Sequence, residues 1–397
     1  MSHPTETRRL AGAGLAAALR DSRATTLARV ADLDDEAWLP PPRPGVNPIA
    51  WELGHLAWFA EFWILRGPHR PGDNGLVDAA RPPRFSGSDA LFDSARLAHA
   101  DRWHHAWPSR DALFATLAAQ LEACIATIPE RDGDDAALYF HRLALFHEDM
   151  HGEALAWLRA ALGHAAPVGL ALESVPRAAA IGVRGGSVTV GRHRHGDGFA
   201  FDNELDAHSP RLDDFEIDAV PVDNGAFLDF VEAGGYAEPA FWTGAASTWR
   251  AANDAAHPAH WRHRSGAWEE RWFDRWLPLD PRRPVVHVNA FEAEAWCRRA
   301  GRRLPRAAEW EHAAQSSSAM HWGRGIWEWT ADPFLPYPGF IPGPYRDYSL
   351  PWFGDHRELR GGSFAAHDRM LDPSYRNFFT PDRSDVFAGF RSAASIP

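Results

Sequence analysis

Residues 146–158 read FHEDMHGEALAWL, and within them His147-Glu148-Asp149-Met150-His151 fits the H-E-x-x-H pattern of zinc peptidases. In that pattern two histidines hold the metal and the glutamate activates water. Positions four apart on a helix lie on one face about one turn apart, so His147 and His151 can bind a single ion. His141, six residues before His147, falls about 120° away around the helix and is not expected to ligate. A third ligand must come from another element. His55, alone in the apolar helix stripe of NPIAWELGHLAWFAEFW, is the candidate. Taken alone, such a histidine is more often a satisfied core residue; a His-x-x-x-His helix in the same bundle tips it toward ligation. Three neutral imidazoles with open positions suit zinc, iron or copper, and ligand type does not choose among them. A peptidase sets its H-E-x-x-H helix beside a sheet edge that holds substrate. No strand pattern precedes the motif here, and Glu148 reads equally well as a solvated helix residue, so the peptidase reading is the weaker one.

The elements that must position these histidines are helical. Helical period runs over roughly 7–32, 47–66, 110–128 and 134–162, with Asn47-Pro48 opening the second stretch and Ser109 placed to cap the third. Four helices with one long connection, 67–108, read as a four-helix bundle, a fold that builds metal sites from facing helices. The texture changes near residue 165. Beyond Ala165-Ala166-Pro167 come short apolar runs, glycine turns and aromatic loops, with helical period only at Asn224–Ala233, Ala290–Ala300 and Arg306–Ala314. That is an α+β domain rich in irregular loops.

At 397 residues the chain is long enough for two buried cores. A formal net charge of −12 argues against nucleic-acid binding, which needs a basic face. The two cysteines, Cys124 and Cys297, form no CxxC and argue against a disulfide scaffold, a thiolate zinc site or an iron–sulfur cluster. No stretch reads as a signal peptide or a membrane span, and a cytoplasmic setting is expected.

Taken together, ELGHLAWF, LALFHEDMHGEA, GGSVTVG, RRLPRAAEWEHAA, IWEWTADPFLPYPGF, LRGGSF, YRNFF and AGFRSA, in that order, resemble the ergothioneine-type sulfoxide synthases. The resemblance spans nearly the whole chain. It implies a DinB-like helical bundle (1–166) followed by a formylglycine-generating-enzyme-like, C-type-lectin-like domain (175–397, the sulfatase-modifying-factor type). It also implies non-haem Fe(II) held by His55, His147 and His151. The segment DALFDSARLAHADRW, Asp89 to Trp103, together with WELGH and FHEDMHGEA, is similar to the selenoneine synthase branch. That branch joins hercynine, the trimethylated betaine of histidine, to a 1-selenoglucose donor using O2. The sulfur enzymes instead take γ-glutamylcysteine or cysteine. Those using γ-glutamylcysteine carry a glutamine where this chain has Met150, and an Arg-Asn-Trp-Asp run where it reads Arg376-Asn377-Phe378-Phe379. Both departures favour a neutral selenosugar.

The resemblance also implies roles for other residues. Tyr345, with Tyr337 second, would be the proton donor. Asn377, Phe378 and Phe379 would contact hercynine, whose quaternary ammonium calls for aromatic faces; Trp327 and Trp329 are expected in the core. Asp89, Ser94, Arg96, His99, Arg102 and Trp103 lie in the long connection. They read either as a donor site or as a solvated linker with one anchoring tryptophan. Glu52, Glu148, Asp149 and Glu153 are candidates to orient the ligating imidazoles. A genuine formylglycine generator needs a pair of reactive cysteines late in the fold, and no cysteine follows Cys297.

Overall fold

The computed structural model describes residues 4–43, 45–73, 75–129, 135–196 and 198–396. The chain divides into two compact units, Met1–Leu162 with Asp197–Phe199, and Gly163–Gly196 with Ala200–Pro397. The expected limits at 1 and 397 and the expected helix start at 134 lie outside the described residues. No helix among the described residues is long and apolar enough to cross a membrane.

Four long helices build the first unit: α1 (Gly12–Ala28), α2 (Ile49–Ala60), α3 (Arg110–Ile125) and α4 (Asp135–Leu162). Three are shorter than their hydrophobic period suggests. Ala11 is extended and Gly12 has φ +48°, which separates α1 from a short helix at Pro4–Thr7. Beyond Ala60 the chain widens into a π-helical turn, Glu61–Leu65. At the start of α3 the Ser109 hydroxyl accepts from Ala112 N at 3.3 Å, as a cap should. All twelve residues of α2 are buried. A helix apolar on every side belongs at the centre of its fold, and α2 packs on both α3 and α4 while α1 packs on α4. Leu15, Leu19, Leu121, Leu138 and Leu145 form one core cluster between α1, α3 and α4; burying each such side chain contributes about 1.5–3 kcal/mol.

The connection from 67 to 108 is more ordered than its sequence suggests. It holds a small hairpin (His69–Pro71 with Val77–Ala79), a helix at Ser88–Phe92 and a 3-10 turn at His99–Trp103.

In the second unit, helices occur at Asn224–Glu232, Ala290–Arg299 and Ala307–Ser316, close to their expected bounds, and also at Ala245–Ala252, which sequence period did not reveal. A four-stranded sheet runs in the order Asn377–Phe379, Arg357–Gly361, Trp327–Pro333, Ala388–Gly389. Its first three strands are antiparallel and the last is parallel to its neighbour. Trp327 and Trp329 are fully buried, in the core as expected, and Trp329 Nε1 donates to Val288 O at 2.9 Å. Two three-stranded sheets, a two-stranded one (Gly186–Ser187 with Arg211–Leu212) and many loops complete the unit. Buried ion pairs tie the strand Arg357–Gly361 to the helix Ala307–Ser316, with Arg360 between Glu311 (3.0 Å) and its strand neighbour Glu358 (2.8 Å).

Candidate metal centre

His55 from α2 and His147 and His151 from α4 converge, their ligand atoms all lying within 4.8 Å of one another. The ring centroids are 5.1 Å (His55–His147), 5.0 Å (His55–His151) and 4.5 Å (His147–His151) apart. His55 and His147 are buried, whereas the His151 side chain keeps 20% of its surface exposed and gives the cluster an open side. The His147 ring lies parallel to Phe59 with centroids 3.5 Å apart.

Two of the rings are aimed by acceptors on Nδ1. His55 Nδ1 is 2.7 Å from Phe92 O, and His151 Nδ1 is 2.5 Å from Glu52 Oε2. With Nδ1 engaged, Nε2 of each is left to ligate. Burial, with His151 nearby, holds His55 down at about 3, and burial followed by the neighbouring His151 and His55 holds His147 well below the usual imidazole value. Both rings are therefore neutral at physiological pH, the form that binds metal. Burial pushes the Glu52 carboxyl up, but His151, Asn47 and His55 outweigh it and bring it to about 2, so Glu52 is a carboxylate. The donor set fits a divalent transition metal with vacant positions, because three imidazoles leave room for other ligands.

Glu148 does not point to such an ion. Its carboxylate is paired with Arg23 of α1 (2.6 and 3.0 Å), and Asp149 accepts from Ser22 Oγ at 2.7 Å. A glutamate held in a buried ion pair is not free to activate a metal-bound water. Of the four acids considered as orienting groups, Glu52 has that contact. His141 lies apart, 3.0 Å from Thr127 Oγ1. Sequence reasoning missed Phe92, which acts through a backbone carbonyl, and the role of Asn47, whose Nδ2 donates to Glu52 Oε1 at 2.6 Å.

Met150 is half-buried next to His151 in sequence. Asp89 accepts from Trp58 Nε1 at 2.7 Å and from both Arg66 terminal nitrogens at 2.6 and 2.9 Å. Arg102 is buried, donates to Asn47 Oδ1 at 2.6 Å and stands 3.6 Å from the Trp51 ring centroid. Ser94 and Arg96 are exposed, Arg96 pairing with Asp93 and Asp78. His99 contacts Val46 O at 2.8 Å, and Trp103 Nε1 donates to Pro40 O at 2.6 Å.

In the second unit, Asn377, Phe378 and Phe379 form the edge strand of the four-stranded sheet and are half-buried. Phe378 stacks on Phe334 with centroids 4.2 Å apart, and the Arg383 guanidinium stands 5.3 Å from the Phe379 ring. Tyr345 is half-buried beside Tyr348. Tyr337 sits among charges, its hydroxyl accepting from Arg360 Nη2 at 2.8 Å and its ring 3.9 Å from the Arg376 guanidinium. Burial pushes that phenol well above its ordinary value, making it the weaker acid of a closed network. Cys297 is buried and burial raises its thiol likewise, so this unit holds no reactive cysteine among the described residues.

A helical bundle with a three-histidine cluster, joined in one chain to a loop-rich α+β unit, defines a two-part enzyme architecture. Residues 18–166 match the DinB superfamily, and residues 171–325 and 322–396 match the sulfatase-modifying factor enzyme 1-like domain. The hercynine oxygenase of Mycobacterium tuberculosis is 31% identical, over 96% of this chain and 99% of its own. That of Mycolicibacterium smegmatis is 31% identical over 96% and 99% of the two chains. The formylglycine-generating enzyme of Streptomyces coelicolor is 29% identical over 50% of this chain and 83% of its own. The chain belongs to the hercynine oxygenase family.

Proposed function

We propose that this enzyme is a selenoneine synthase, which uses Fe(II) and O2 to join hercynine to a 1-selenosugar such as selenoglucose. The observation that carries the metal reading is the cluster of His55, His147 and His151 in a chain of this family. Bound iron would supply O2 activation and a coordination position for the chalcogen. In the overall reaction hercynine loses one C–H and the selenol its Se–H, and a C–Se bond forms. O2 accepts four electrons, one oxygen going to selenium and the other leaving as water.

The chain's residues orient and protonate. Glu52 and the Phe92 carbonyl orient the His151 and His55 rings and leave their Nε2 atoms for the metal. We assign Tyr345 as the proton donor, because it carries the family's tyrosine position and is half-buried, whereas the Tyr337 hydroxyl is bonded to Arg360 and its ring lies against Arg376. We assign Asn377, Phe378 and Phe379 to hercynine, whose trimethylammonium is attracted by aromatic faces. The selenium donor is supported by Met150 and Phe379, apolar where γ-glutamylcysteine enzymes carry polar groups, and by the similarity of the Asp89–Trp103 segment to the selenoneine branch. A pocket without those polar groups leaves the charged ends of γ-glutamylcysteine unpaired, and an unpaired buried charge is strongly selected against.

The relatives' shared name, hercynine oxygenase, fits a hercynine-oxidising enzyme with either donor, and the alternative to the selenosugar is a sulfur donor, γ-glutamylcysteine or cysteine. A competition decides between them. Enzyme reconstituted anaerobically with Fe(II) and hercynine receives equimolar selenoglucose and γ-glutamylcysteine, then O2, and products are read by mass spectrometry. Selenium product in excess is the expected result. Preference for γ-glutamylcysteine or cysteine overturns the donor assignment. Turnover unaffected by removing iron and O2 overturns the reaction class.

A further inference from the structure

We infer that the connection between α2 and α3 forms a collar that sets the orientation of the His55 imidazole, with Asp89 and Arg102 acting as positioning residues for the metal ligands rather than as contacts for the donor. The inference rests on the reading of His55 as a ligand. Trp51 and Trp58, one turn before and one turn after His55 on α2, flank its ring at centroid distances of 4.7 and 5.7 Å, the first nearly parallel at 10°. Both indole N–H groups are taken up by the connection: Trp51 Nε1 donates to Leu91 O at 3.1 Å and Trp58 Nε1 to Asp89 Oδ1 at 2.7 Å. Between those two residues and the turn that follows, Phe92 O takes His55 Nδ1. A single short helix, Ser88–Phe92, thus holds the ring and both of its aromatic walls.

Arg102 closes the collar from the far end of the same connection. Its guanidinium covers Trp51 on one side, and its Nη1 bond to Asn47 continues through Asn47 to Glu52 and so to His151. One segment therefore reaches two of the three ligands by separate routes.

The bonding of Asp89 argues against a role in holding a sugar. A carboxylate offers about four acceptor sites, and three are used by Trp58 Nε1 and the two Arg66 nitrogens. Arg102 is buried between Asn47 and Trp51, with Nη1 bonded to Asn47 and Nε left without a partner among the described residues, so its bond runs toward the residue that holds Glu52. Groups that are already paired contribute orientation to their partners. Carboxylate and carbonyl partners of ligating imidazoles act on metal affinity in this manner.

The test uses metal-free full-length enzyme titrated anaerobically with Co(II), whose visible spectrum reports ligand geometry, and with Fe(II) for affinity. Asp89→Asn, Trp58→Phe and Arg102→Lys are compared with wild type and with His147→Ala, and thermal melting checks that each variant folds. Trp58→Phe keeps the ring and loses only the N–H, so it remains informative where a charge change unfolds the bundle. The collar predicts an altered Co(II) spectrum and Fe(II) binding weaker by about 10–100-fold in Asp89→Asn and Trp58→Phe. It also predicts smaller losses in Arg102→Lys and no separate rise in the KM for selenoglucose at saturating metal. Unchanged spectra and affinities with a raised KM for selenoglucose overturn the collar and return the segment to donor binding. Wild type that binds Co(II) no better than His147→Ala overturns the metal reading itself, and the collar with it.

Discussion

Glu148 and His147 are adjacent on α4 yet serve different partners, and that separates this site from a peptidase at the level of single side chains. Replacing His55, His147 or His151 by alanine is expected to abolish Fe(II) binding with the bundle still folded, as checked by metal stoichiometry beside circular dichroism. Glu148→Ala should do the reverse. It leaves the buried Arg23 guanidinium without its carboxylate, and breaking such a pair costs about 3–5 kcal/mol. Denaturant melts should record that loss, while the Fe(II) affinity of the folded fraction stays within a few-fold of wild type. Loss of metal binding with unchanged stability would contradict the assignment of Glu148 to Arg23. His55, which alone in an apolar stripe reads as a core residue, was picked out in the sequence by the His147-x-x-x-His151 helix in the same bundle. Glu52 was legible only as a nearby acid, since its partner His151 lies 99 residues on. The Phe92 carbonyl was not legible at all, because a backbone oxygen has no residue type to betray it.

At the scale of elements, Gly54 shows how closely the Ser88–Phe92 helix approaches α2. A Cβ built on Gly54 would stand 2.0 Å from Phe92 Cε1. In an open helix glycine to alanine stabilises by about 1 kcal/mol; here Gly54→Ala must push Phe92 aside and move the carbonyl that holds His55. We expect a lower melting temperature together with weaker Fe(II) binding, measured on the same preparation. A stabilised variant with full affinity would contradict the close approach. In the second unit the Ala290–Arg299 helix begins with a capping box in which Asn289 and Glu292 bond each other's backbone N–H, and the Tyr236 hydroxyl also bonds Glu292. Burial raises Glu292 from 4.5 to about 7. Between those values the unfolded chain releases the proton while the folded one keeps it. Its contribution is therefore complete below about pH 4.5 and is lost as pH rises through 7. Glu292→Gln should flatten that part of the stability–pH curve, as read from denaturant midpoints between pH 5 and 8. Helix identity was legible from hydrophobic period in both units. The end of α2 was not, since the apolar period runs on through the π turn at Glu61–Leu65, and neither was Ala245–Ala252, whose buried face is the single residue Ala246.

For the whole molecule, the three clustered histidines and the groups bonded to them all belong to the first unit. Metal bound at 100 times its dissociation constant stabilises the form that binds it by about 2.7 kcal/mol. Calorimetry should then show chelation lowering the transition that carries the bundle's helical signal; an equal shift of every transition would mean that the two units unfold as one. The division into two units was legible from the change of texture near residue 165, because helical period and short-strand alternation leave different marks on a sequence. The interior of the second unit was less so, since a buried pair such as Arg360 with Glu311 joins a strand to a helix far from it in the chain. The two cysteines carry a consequence of another kind. Both are buried, and burial holds the Cys124 thiol up at about 12 and Cys297 higher still. On the proposed function, dioxygen and a selenol would meet at this enzyme, and both attack or exchange with thiolates. With neither sulfur exposed or ionised, the fold would offer those reagents no thiolate to scramble.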